Sequence, residues 1–166
     1  MNGKERRAAI QARAEEGFLQ DSSLRNGKKW TELLVLLWVM SRLFFFVMDL
    51  ICVHIGFIDF NPVNIWAFLL SLFLALLLYK GAGMLAVFPL LGGILMASTV
   101  FRERMLSLLS LDLDGVLRLH ILSYIIAAAV QILTMSLLLL LPACKSYSEL
   151  LKRVVQEVNG SQEHRL

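Results

Sequence analysis

Apolar residues gather into four long runs, at 33–57, 63–79, 84–101 and 119–141, and the segments between them carry charges, glycines and a proline. Each run comes near the ~20 residues that take an α-helix across ~30 Å of hydrocarbon, the second and third at the short end. Lipid offers the backbone no hydrogen-bond partners, so every crossing must be helical. The pattern predicts an all-α polytopic membrane protein. Its four-transmembrane-helix bundle occupies residues 31–142, between an N-terminal tail over 1–30 and a C-terminal tail over 143–166.

The breaks between runs set the expected connections. Asp59, Asn61 and Pro62 part the first two spans, and Lys80, Gly81 and Gly83 leave room only for a tight hairpin between the second and third. Residues 102–118 hold Arg102, Glu103, Arg104, Asp112, Asp114 and Gly115 around Met105, Leu106, Leu108, Leu109 and Leu111. That mixture predicts a short surface helix, ended by Asp114 and Gly115.

Lysines and arginines outside the runs number 7 in the N-terminal tail, 0, 1 and 3 in the successive loops, and 4 in the C-terminal tail. Four crossings with both termini cytoplasmic put 12 inside and 3 outside, as the positive-inside rule favours; three crossings would export a basic tail. Arg102, Arg104 and Arg118 then face outward, a minor conflict with that rule. Trp30 and Trp66 fall at opposite ends of the first two spans, where indoles anchor at the water interface. Lys4, Glu5, Arg6 and Arg7 precede any apolar stretch, unlike a cleavable signal peptide, so the first span is expected to be retained as an anchor.

Composition agrees with lipid as the surrounding solvent. Apolar residues make up 58% of the 166 and charged ones 17%, and the mean hydropathy is +0.70; soluble domains run at about 45–50% and about 25%. The charge of +3 fits a basic cytoplasmic face, so no nucleic acid is expected as a partner. Cys52 within the first run and Cys144 after the last are poorly placed for a structural disulfide.

Within the spans, Arg42, Asp49 and His54 interrupt WVMSRLFFFVMDLICVHIGF. A charge at mid-membrane costs from about 2.5–3.5 kcal/mol on insertion scales to far more in simulations, so such residues need partners. Arg42 and Asp49 share a face roughly 10 Å apart, too far to pair directly. Trp38, four positions before Arg42, suits a cation–π contact. The functional reading is a polar path or a substrate counter-ion. The ordinary one has Arg42 snorkelling toward the cytoplasmic face and Asp49 neutral or bonded to a neighbouring helix.

Span four offers partners in Ser123, Tyr124, Gln131, Thr134 and Ser136, with Ser123, Ala127 and Gln131 forming a small and polar stripe expected to face span one. In span three, Pro89, Gly92 and Gly93 predict a kink near Phe88, and Gly93 with Ala97 suits close packing. At the outer face, His54, Asp59, Asp112, Asp114 and His120 converge if spans one and four are neighbours; their spacing matches no metal motif, and isolated surface histidines are the ordinary explanation.

In the last stretch Leu150, Leu151, Val154, Val155 and Val158 recur at helical spacing, with Ser146 or Ser148 as the cap, which reads as an amphipathic helix. The N-terminal segment 6–19 is helix-prone with mixed charge, and Arg25, Lys28 and Lys29 sit where anionic headgroups attract them. Both tails read as interfacial or partner-binding elements. The triplet Asn159, Gly160, Ser161 would go unglycosylated in a cytoplasmic tail.

The common catalytic signatures, the Walker loop, HExxH, GxSxG, CxxC and GxGxxG, are absent, so no enzyme activity, cofactor or metal is expected. The leading expectation is an accessory, assembly or regulatory subunit, in a bacterial plasma membrane, acting through the lipid bilayer and a membrane-protein partner or homo-oligomer. A small oligomeric transporter or channel with a path built on Arg42, Asp49 and Gln131 is the alternative, and an intramembrane lipid enzyme a third.

Overall fold

The computed structural model describes residues 3–103 and 115–163, which form helices joined by short turns with no strand among them. Helix α1 covers Gly3–Gln20. Asp21 then ends one helix and caps the next: its extended backbone (φ −133°) lets the carboxylate accept from the Ser23 N–H at 2.7 Å. That bond holds the Asp21 carboxyl below its ordinary range.

Helix α2 runs unbroken over Ser22–His54, about 50 Å at 1.5 Å per residue, well beyond the ~30 Å of hydrocarbon. Its first turns therefore take residues 22–30 of the expected tail into the same helix as span one. It also stops three residues earlier than the run at 33–57 suggested, because Gly56 takes φ +77° and turns the chain. Asn61 caps the next helix by accepting from Val63 N–H at 3.0 Å, Pro62 occupies its first position, and α3 extends over Pro62–Tyr79. Gly81 (φ +87°) makes the tight turn, followed by a 3-10 helix over Gly83–Ala86 and α4 over Val87–Glu103. Helix α5 covers Gly115–Leu140, and Leu141 alone separates it from α6, Pro142–Glu163.

Two expectations shift here. The kink near Phe88 is replaced by a 3-10-to-α transition at Ala86 and Val87. Pro89 falls in the first turn of α4, where a missing N–H costs nothing. The C-terminal helix starts at Pro142 rather than at a serine cap. Ser148 is buried instead, its hydroxyl donating to the Gly81 carbonyl. The surface helix expected over 102–118, with Asp112 and Asp114, lies largely outside the described residues.

Contacts fix the directions. Asp49, near the end of α2, meets Asn64 at the start of α3 and His120 near the start of α5. At the opposite end Gly27 lies against Ala143, and Tyr147 reaches the Tyr79 carbonyl at 3.4 Å. Helices α2, α3, α4 and α5 thus alternate in direction, and α1 and α6 share one end, called here the tail end.

Three helices, α2, α3 and α5, are long and apolar enough to cross a membrane. The four-span expectation is met only in part, because the apolar helix of the third run, Gly83–Thr99, is shorter than that. The bundle's surface is apolar, with Leu140 70% exposed and Leu95 67%, and its largely apolar core of residues such as Leu34, Trp38, Leu78 and Met135 also takes in polar Thr134 at 0%, Ser123 at 1% and Gln131 at 5%. In water such a surface would forfeit about 1.5–3 kcal/mol for each large apolar side chain left outside; in lipid it costs nothing. The chain is therefore an integral-membrane helical bundle by its surface and by its three spanning helices.

At the tail end, α6 lies on α2 and runs antiparallel to α1. Tyr147, Val154 and Val158 are buried along one α6 stripe, and Gly17 of α1 faces Leu150. A Cβ on Gly27 would collide with the Ala143 carbonyl, so only glycine permits this crossing. Surface contacts from Arg13 to Glu157 at 3.3 Å and from Arg6 to Asn159 at 2.6 Å add little energy. The amphipathic stripe read as a surface for lipid or a partner is instead largely spent on α1, α2 and the Gly81 turn. Burial pushes the Cys144 thiol upward against an opposing Thr31 contact. The Tyr147 phenol is pushed up to about 12 by burial, then by Glu32 and Tyr79.

Candidate functional site

Polar side chains meet between helices in three layers. Nearest the tail end, the Trp38 indole N–H donates to Gln131 Oε1 at 3.2 Å, and Gln131 Nε2 donates to the Pro89 carbonyl. One amide of α5 thereby ties α2 to α4. Both glycines of α4 lie against this contact. A Cβ on Gly93 would stand 3.0 Å from Ile132 Cγ1, and one on Gly92 3.3 Å from Gln131 Nε2, so small residues let α4 and α5 approach. Ser123, Ala127 and Gln131 are all buried, and Gln131 faces span one through Trp38.

The middle layer holds Arg42. Its Nη1 donates to Met96 Sδ of α4 at 3.0 Å, and its guanidinium lies 5.8 Å from the centroid of the Phe45 ring. Trp38, expected as its cation–π partner, has its N–H turned to Gln131. The half-buried Arg42 thus reaches across to α4.

The far layer is the most polar. Asp49 is 5% exposed and His120 3%; Asp49 Oδ1 stands 3.2 Å from His120 Nε2, and Oδ2 accepts from Asn64 Nδ2 at 2.8 Å. The buried Nδ1 of His120 has no hydrogen-bond partner among the described residues. Phe45 packs on the imidazole at 5.8 Å and edge-on against Tyr124 at 5.1 Å. A cavity of about 230 Å³ opens beside this layer, walled by Asp49, His120, Asn64, Tyr124, Asp59 and Asn61 among others.

One expectation about this end is corrected: His120 is no surface histidine but lies inside the bundle, where α2 and α5 are neighbours. His54, on the last turn of α2, is exposed, as the surface-histidine reading has it, and is not among the residues that wall the cavity. Of the outer-face set, Asp59 and His120 come together here, while Asp112 and Asp114 lie outside the described residues. Among the described residues no three His, Cys, Asp or Glu stand close enough to hold a metal.

Sequence reasoning did not pair Asp49 with His120 or Asn64. One signal was present: Asp49 lies five residues before the end of α2 and His120 five residues after the start of α5, so antiparallel neighbours put them at equal depth. Comparison with protein-family models, curated proteins and solved structures finds no match to this chain.

Proposed function

We propose that all four apolar helices cross the bilayer, that both tails face the cytoplasm of a bacterial cell, and that the protein is an accessory, assembly or regulatory subunit acting through protein or lipid contacts. The alternating helix directions and the shared end of α1 and α6 support an even number of passes. The 3-10 helix and α4 together rise about 33 Å, enough to reach across hydrocarbon. The basic segments, 12 of the 15 lysines and arginines outside the runs, would then lie inside.

One observation carries the functional reading: the buried Trp38, Gln131, Asp49 and His120, with Asn64, hydrogen-bond from helix to helix, while the buried serines and threonines such as Ser123 and Thr134 bond back to their own helices. Trp38 to Gln131 to Pro89, and Asn64 to Asp49 to His120, hold the bundle in one arrangement. A rigid bundle with a folded three-helix tail layer suits a scaffold. Native mass spectrometry of the protein extracted from its own membrane tests this. A stoichiometric second protein or a defined homo-oligomer is expected; a lone monomer in every mild detergent would refute it.

The cavity beside Asp49 and His120, where His120 Nδ1 has no hydrogen-bond partner, favours a second reading, a transporter component. Arg42, Asp49 and Gln131 occupy separate layers, so its path would begin at Asp49 rather than run through all three. Proteoliposome flux abolished by Asp49→Asn, with the fold retained, would support it; no flux for any tested ion would remove it.

A further inference from the structure

The cavity of about 230 Å³ at the far end has a buried inner wall and an exposed mouth. Asp49 and His120 supply the inner wall, whereas Asp59 and Asn61 stand exposed on the link between α2 and α3. Among the described residues no lysine or arginine walls it, and Asp59 makes no ion pair. Arg42 lies a layer away, turned to Met96. The walls are therefore negative in either state of the buried pair. With one proton between them Asp49 and His120 carry one negative charge, with a second they carry none, and Asp59 adds its own. An independent sign of a missing occupant is the buried Nδ1 of His120, which has no hydrogen-bond partner; buried polar atoms are ordinarily met by protein, water or a bound molecule.

We propose that this cavity binds a compact primary amine in its ammonium form, entering from the end opposite the tails. The inference rests on the transporter reading and names the ligand of the site where that path would begin. Size excludes the extremes. The volume is more than a bare ion needs and less than the roughly 300–1,000 Å³ of drug-sized sites. Hydrogen bonding chooses the headgroup. A carboxylate offers about four lone-pair sites; His120 and Asn64 each bond one oxygen of Asp49, so each oxygen keeps room for a further N–H. A primary ammonium brings such donors together with the opposite charge, and its carbon chain can lie on Phe45 and Ile58 in the same wall. An anion would meet like charge, and a neutral molecule would leave the carboxylates uncompensated.

The test titrates the full-length protein in detergent, at neutral pH, with n-butylamine in a calorimeter, and with butanol, butyrate and sodium chloride at equal ionic strength. Saturable binding of one butylamine per chain is expected, at least about tenfold tighter than any of the other three, the effect of about one charge-assisted hydrogen bond. Asp49→Asn, read at unchanged helicity, should lower the affinity by about tenfold or more. Because Asp49 also ties helices together, Asp59→Lys is the second variant: it places a cation at the exposed mouth and should weaken butylamine while the bundle stays folded. No saturable heat, or equal affinity for butanol, overturns the proposal. Sodium bound more tightly than butylamine overturns the ligand class, and an affinity unaltered in both variants puts the amine elsewhere and overturns the site. Amine binding without flux in proteoliposomes leaves the site standing and removes the transporter reading; flux of an inorganic ion without amine binding does the reverse.

Discussion

Removing the Asp49 carboxylate is the sharpest perturbation of the bundle interior. Asp49→Ala takes away the oxygens that bond Asn64 Nδ2 at 2.8 Å and His120 Nε2 at 3.2 Å. In soluble proteins each orphaned buried group costs about 1–3 kcal/mol. In membrane bundles one interhelix bond averages about 0.6 and reaches about 1.7 kcal/mol, because the unfolded chain in lipid also finds partners. The membrane value governs here, so two bonds predict a loss of about 1–3 kcal/mol. Reversible unfolding in mixed sodium dodecyl sulfate micelles, followed by far-ultraviolet circular dichroism, measures it. His120→Ala and the double variant complete a cycle whose expected coupling is about 0.6–1.7 kcal/mol. A coupling within about 0.3 kcal/mol of zero, the additivity of independent sites, would refute the pairing.

Gly27→Val drives a side chain into the Ala143 carbonyl and should undock α6 from α2 at a cost of about 1–3 kcal/mol; the Cys144 thiol, 4% exposed in the native fold, should resist maleimide there and react in the variant. Gln131→Leu removes the ties to Trp38 and Pro89 and should cost about 1–2 kcal/mol in the same micelle titration, with the Trp38 fluorescence shifted. The folded state holds the Tyr147 proton up to about 12 against an ordinary 10, so its contribution to tail docking is complete below pH 10 and fades as pH rises toward 12. Tyr147→Phe should flatten that part of the pH–stability curve, and identical curves for the two proteins would contradict the assignment.

Helix positions were legible because lipid imposes one length and one backbone geometry on each run, and the alternation of direction followed from the short links at 55–61 and 80–82. Boundaries were less so. Residues 22–30 are polar yet helical, since Asp21 starts α2 and tertiary contact with α6 keeps it helical beyond the apolar run. Asp49 stood out as a carboxylate in hydrocarbon, but its partners depended on which helices adjoin and at what depth, information absent from spacing along one chain. His120 was misjudged because closeness to a loop suggested exposure. The α6 stripe was visible as amphipathic, while what covers it depended on Gly27, Gly17 and Gly81 permitting close approach.

The account depends on an even number of crossings with the tails together. Single cysteines at the exposed positions Ala8, Asp59 and Asn159, introduced after Cys52→Ala and Cys144→Ala, can be labelled with a membrane-impermeant maleimide in intact cells and in inverted vesicles. Positions 8 and 159 should label only in the vesicles and position 59 only in cells. Labelling of 8 and 159 from opposite sides, or of all three from one side, would contradict it.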